Sequence, residues 1–140
     1  MNQELKKEIH SYLGLTQTTF FATYDGIFPR VRPVSMIFLN GNFYIATGTE
    51  DNKVKQVKGN DTFEFSYLFT VGENNGYLRG AGITEIITDA DLREDIYIKI
   101  PFLKEFWKTS TDKGYTLLKL NVSEVEYMKP GEFLAKKFEY

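Results

Sequence analysis

Cysteine is absent from the 140 residues, and histidine occurs once, at His10. Without thiols there is no disulfide, no thiolate nucleophile and no Cys-ligated zinc or iron–sulfur centre, and one imidazole cannot build a multi-His metal site. No apolar run approaches the roughly twenty residues of a membrane span, and the opening MNQELKKEIHSYLG reads as a charged amphipathic helix, not a signal peptide. A cytoplasmic protein with no membrane partner is the expectation. Neither sign of charge dominates: 17 Lys and Arg stand against 19 Asp and Glu, a net charge of -2. The clustered base of a nucleic-acid footprint is therefore not expected. The halves differ mildly, with seven basic against five acidic residues over 1–60 and ten against fourteen over 61–140. The first half is the better home for an anionic ligand.

What the chain has in quantity is aromatic side chains: twelve Phe, nine Tyr and one Trp, 16% of all residues. That richness favours a β-heavy core, an aromatic-lined pocket or a dimer face. The length fits one domain over 1–140, burying roughly two thirds of its unfolded surface.

Leu5, Ile9, Tyr12 and Leu13 recur at helical spacing, which predicts a helix over 2–13. The period then changes to that of strands: 18–24, a turn at Asp25-Gly26, 30–39, an Asn-Gly turn at 40–41, and 43–47. Thr49 followed by EDNKVKQVKGN reads as an N-cap and a short helix over 50–58. Strand 62–71 places Phe63, Phe65, Tyr67 and Phe69 on one face, a core stripe. After a loop at 72–76, strand 77–88 contains Gly80 and Gly82, which signal a bulge or a close backbone approach. A helix capped by Asp89 and another begun by Pro101 follow, then a strand over 115–128 and a polar-aromatic tail. Phe102, Phe106 and Trp107 read as core or dimer packing ahead of a lid over a bound ligand. Six strands with peripheral helices predict a mainly β fold, a closed or split antiparallel barrel.

The chemistry concentrates in FPRVRPVSMIFLNGNFYIATGTEDNK, residues 28–53. Arg30 and Arg32 lie two apart on a strand and project from one face, while Pro33 removes a ladder donor and marks an edge or bulge. The next strand delivers Thr47 and Thr49 around Gly48, and Lys53 sits one turn into the following helix. Bidentate Arg, a Lys point charge, hydroxyls and a helix N-terminus are a donor set for phosphate. Taken alone, the same residues also read as a solvated face and a plain helix cap, and Glu50 and Asp51 would repel an anion unless they point outward.

The order FFAT, DGIFPRVRPVSMIFL, NFYIATGTEDNKVKQVKGND and YLRGAGITEI resembles the pyridoxamine 5'-phosphate oxidase-like family of FMN-binding split barrels, in the small bacterial branch of general-stress and nitroimidazole-resistance proteins. The likeness covers roughly residues 15–90. It implies a six-stranded antiparallel split barrel, a homodimer and FMN in a cleft between subunits. Arg32 would then meet the flavin phosphate or ribityl chain, with Pro33, Val34 and Ser35 running their backbone beside the ring. Ala46 and Thr47 would border ring and ribityl, Thr49, Asn52 and Lys53 would hold the phosphate, and Gln56 would fix the helix. Asn75 falls near where the oxidases place a glutamine on the flavin of the facing subunit. Asn52 stands where the true oxidases carry Arg, and their C-terminal Arg/His segment is missing, so oxidation of pyridoxamine phosphate is not implied. The expected activity is an NAD(P)H-dependent, FMN-dependent reductase of small molecules. The alternatives are a non-catalytic flavin carrier or stress sensor on the same barrel and, ranked lower, a deazaflavin or haem binder.

Overall fold

The computed structural model describes all residues from 1 to 140. Asn2 caps α1 (Gln3–His10), its side-chain oxygen accepting from Leu5 N at 2.8 Å. This helix stops short of the predicted 13 and winds down through turns at Tyr12 and Leu13. Strands β1 (Thr16–Tyr24), β2 (Pro29–Leu39) and β3 (Asn42–Gly48) form the expected meander. At its second turn Asn40 and Gly41 both take positive φ, 52° and 76°, as a tight two-residue hairpin with right-handed twist requires. After α2 (Asn52–Gly59) come β4 (Thr62–Val71) and β5 (Asn74–Ile86), joined by a turn shorter than the predicted loop because pairing resumes at Val71 and Asn74. The chain continues through α3 (Ala90–Lys99), the single-turn α4 (Leu103–Phe106) and β6 (Tyr115–Met128). It ends in β7 (Lys136–Glu139), a strand within the expected polar-aromatic tail, which adds to the edge of β6.

The sheet runs β3-β2-β1-β4-β5-β6-β7, and a further pairing of β3 with β6 closes the first six strands into an antiparallel barrel. Gly80 and Gly82 do what their place in a strand suggested. A Cβ on Gly80 would lie 2.5 Å from the Phe65 ring, and one on Gly82 would lie 1.9 Å from the Asn121 carbonyl, where the β5–β6 register shifts.

Two apolar clusters divide the interior. Phe21, Met36, Phe43, Phe65, Leu118 and Val125 fill the barrel, with Ile9 of α1 plugging one end. Ile96, Ile100 and Leu103 pack α3 and α4 against Ile37, Tyr44, Tyr115 and Leu117 on the outside of the barrel. That second cluster brings the helical segment alongside β3, where the site lies.

Candidate functional site

The split in the barrel opens along the edge of β3 that faces β2. Strand β2 pairs with β3 only over Ile37↔Tyr44, Phe38↔Phe43 and Leu39↔Asn42. If that register ran on, Ser35 would face Ala46 and Val34 would face Thr47. It does not: beyond Tyr44, β3 keeps only β6, on its other edge, and β2 keeps only β1 as its neighbour over Pro29–Met36. The two strands part, and the backbone of Pro33, Val34 and Ser35 on the β3 side is left without a ladder partner. Pro33 suits such a stretch, because it has no N–H to leave unsatisfied.

A groove of about 480 Å³ occupies the split, lined by Pro33, Val34, Ser35, Ile45, Ala46, Thr47, Lys53, Phe102 and Phe106. It shares Ala46, Thr47, Phe102 and Phe106 with a second hollow of about 410 Å³ that extends to Gly48, Asp51 and Trp107. Apolar walls with a few convergent polar groups at one end are the usual composition of a cofactor or small-molecule site.

The polar end is built by the β3–α2 turn. Asp51 N donates to Gly48 O at 3.0 Å, which folds the Asp51 carboxylate back over Gly48. Its Oδ2 then accepts from Thr47 Oγ1 at 2.6 Å, Gly48 N at 3.2 Å and Lys53 Nζ at 3.1 Å. The Thr47 hydroxyl, assisted by Lys53, holds the Asp51 carboxyl below the usual carboxylate range. Glu50 points to solvent, so only one of the two acidic residues enters the cradle.

The other predicted residues are placed differently. Arg32 sits on the inward face of β2 and donates to Phe21 O at 3.2 Å, Thr23 Oγ1 at 2.8 Å and Gln56 Oε1 at 2.7 Å. Thr23 Oγ1 also donates to Gln56 Oε1 at 2.5 Å. Arg32 and Gln56 thus tie β1, β2 and α2 together, and partial burial lowers the Arg32 pKa. Arg30 leaves that group for an exposed ion pair with Asp25 at 2.6 Å. Thr49 is not the N-cap; Asp51 is, and the Thr49 hydroxyl reaches Lys113 O at 2.7 Å and Thr116 Oγ1 at 2.8 Å, stitching the turn to the start of β6. Asn52 is exposed at the first position of α2. Asn75, paired with Thr70 near the β4–β5 turn, is exposed and does not line the groove of its own chain.

Phe102, Phe106 and Trp107, which the sequence ranks as packing ahead of a ligand lid, line the groove and its extension. Phe106 is 67% exposed although it lies in the aromatic segment expected to pack. The segment is fixed from behind: Tyr97 Oη donates to Trp107 O at 2.7 Å, and Arg93 donates to Ser110 O and Tyr115 O. The available signal was the i, i+4 pair Phe102 and Phe106 on a helix too short to bury both.

No protein-family model matches the chain, and no curated protein matches it. Solved structures do. The chain superposes on general stress protein 26 from Bacillus anthracis with a TM-score of 0.78 and 19% identity, covering 99% of this chain and all of the other. A NimC/NimA family protein from Clostridium acetobutylicum gives 0.78 and 19% over the full length of both. A haem-binding protein from Mycobacterium smegmatis gives 0.81 at 13% identity, this chain spanning 59% of it. The fold is therefore the split barrel shared with general stress protein 26 and with a solved structure described as a pyridoxamine 5'-phosphate oxidase from Listeria innocua, at a TM-score of 0.74 and 18% identity over 89% of this chain and 98% of the other.

Proposed function

We propose that this protein binds FMN in the split between β2 and β3 and is a reductase of small molecules that draws electrons from NAD(P)H. The observation that carries the reading is the Asp51 carboxylate: one anionic oxygen seated on a hydroxyl, an amide N–H and an ammonium is a stand-in for a phosphate oxygen. The donor set fits the phosphate of FMN, and the fold shared with stress and nitroimidazole-resistance proteins supports it.

Within this reading Thr47, Gly48 N–H and Lys53 hold the phosphate. Lys53 is suited to this because its side chain is only 16% exposed, so its charge is weakly screened. The unpaired backbone of Pro33–Ser35 offers the polar edge of a planar ring the groups a neighbouring strand would have used. Phe102 and Phe106 form the opposite wall. Arg32 positions α2 through Gln56 and does not itself reach the groove. FMN, when bound, supplies hydride acceptance and electron transfer to the substrate. His10, the single imidazole, is the last residue of α1, 2.6 Å from Tyr140 Oη, and is not among the residues lining the groove, which favours flavin over haem.

A homodimer belongs to the same proposal. Phe20 pairs with both Pro33 and Ser66, so these three share an outward face with Val31 and Leu68, which are two residues along. Phe20 is 47% exposed, and Val31 and Leu68 are each 64% exposed, an apolar patch beside the groove mouth. A second copy seated on it would wall the groove.

The test is thermal unfolding with and without FMN. At a concentration about 100-fold above Kd, stabilisation of about 2.7 kcal/mol and a Tm rise on the order of 10 °C are expected. A colourless protein whose Tm is unmoved by FMN overturns the reading.

A further inference from the structure

We infer that Asp51 occupies the anion seat of its own chain and thereby sets how strongly the groove prefers a phosphorylated over an unphosphorylated flavin. This rests on the flavin reading above and adds a specificity-determining residue to it.

An Asp at a helix N-cap ordinarily turns its side chain forward, to accept from the N–H groups of the first helical turn. Asp51 is the N-cap of α2 and makes no such bond. Its carboxylate is turned backward by the Gly48–Asp51 turn and rests on β3, where Oδ2 collects all three donors of the cradle. The seat is close-fitting: a Cβ on Gly48 would lie 3.2 Å from Asp51 Oδ1.

The Thr47 hydroxyl has one proton and the Gly48 amide has one, so neither can serve a carboxylate and a phosphate oxygen together at full strength. Two anions at one seat also repel, and Lys53 is the only cation in the cradle. A phosphate therefore enters only when the Asp51 side chain leaves. The way out is open, because that side chain is 49% exposed while its partner Lys53 is 16% exposed. The displacement subtracts from the binding of the phosphate group and leaves the binding of the ring untouched. Neutralising Asp51 should raise affinity for FMN and not for riboflavin, which shares the ring and ribityl chain but has no phosphate.

The experiment titrates the protein, stripped of ligand, with FMN, riboflavin and inorganic phosphate. Flavin binding is read by fluorescence quenching and phosphate binding by thermal shift, for the wild type, Asp51→Asn and Asp51→Ala. Asp51→Asn keeps the shape of the side chain and guards against a folding defect in Asp51→Ala. The expected result is FMN affinity raised about tenfold or more in both variants, equal to about 1.4 kcal/mol, with riboflavin within about twofold of wild type. FMN affinity that is unchanged or weakened in both variants, while the wild type binds FMN, overturns the role of Asp51 and leaves the flavin reading standing. Inorganic phosphate that stabilises the variants above wild type, with neither flavin bound, upholds the anion seat and overturns the flavin reading. Binding of none of the three ligands to any variant overturns both.

Discussion

Two side chains that the sequence treats as members of one basic group, Arg30 and Arg32, end in separate roles because their surroundings differ in water content. Arg30, at the turn end of β2, takes Asp25 as an exposed partner, and the bonds from Phe28 N, Arg30 and Ile27 N pull the Asp25 carboxyl down to about 2. Arg32, two residues further in, meets carbonyl and amide oxygens and becomes a brace for α2. Periodicity made them neighbours on a face, but only the positions of Thr23 and Gln56 decide which of them is fixed. At the same scale Tyr115 gives a pH-dependent prediction. It is 2% exposed, its hydroxyl donates to Arg93 O at 3.2 Å, and burial pushes its pKa up to about 12 from the ordinary 10. A raised pKa in the folded state means a stabilising contribution that is complete below about pH 10 and lost as pH rises through about 12, on the order of 2–3 kcal/mol in all. In urea titrations between pH 9 and pH 12, Tyr115→Phe should be less stable than wild type at the lower pH, and the gap should close as pH rises. A gap that stays constant contradicts the assignment.

At the scale of elements, the glycines of β5 and the division of β3 between two partners shape the molecule. Gly82→Ala would drive a methyl group into the Asn121 carbonyl across the bulge, against backbone that cannot rotate away. The expected loss is about 1–3 kcal/mol in a chemical denaturation curve, and a neutral outcome would show that β6 yields there. This position was legible beforehand as a strand glycine that had to mean something. So were the Asn40-Gly41 hairpin, the Phe63 to Phe69 stripe and the full extent of β6, since each is governed by local period or turn chemistry. Pattern left the barrel closed or split and marked Pro33 as an edge or bulge, but where β2 and β3 part was not legible, because beyond Tyr44 β3 is held only by β6, about seventy residues on in sequence. Strand β7 escaped for a similar reason: four residues carry no period, and pairing with β6 makes them a strand. The site was half legible. Thr47 and Lys53 converge as their spacing suggested, but Asp51 and Phe106 needed the turn and the short α4 to be seen in space.

At the scale of the whole molecule, the proposed arrangement joins the groove to the apolar patch. The open edge of β2 that lines the groove also borders the Phe20, Val31 and Leu68 face, so dimerisation and ligand retention should fail together. Val31→Asp places a charge on that face at a position 64% exposed in the single chain, where the fold itself should tolerate it. Sedimentation is expected to show a shift from dimer to monomer, with loss of bound flavin. A variant that stays dimeric and keeps its flavin would assign the interface elsewhere. The central claim is that the split holds a working flavin, and the visible absorption spectrum of the purified protein tests it most directly, recorded before and after anaerobic addition of NADH or NADPH. Flavin bands that bleach on addition of the nicotinamide are the expected result; a protein that shows no flavin bands even after incubation with FMN would contradict it.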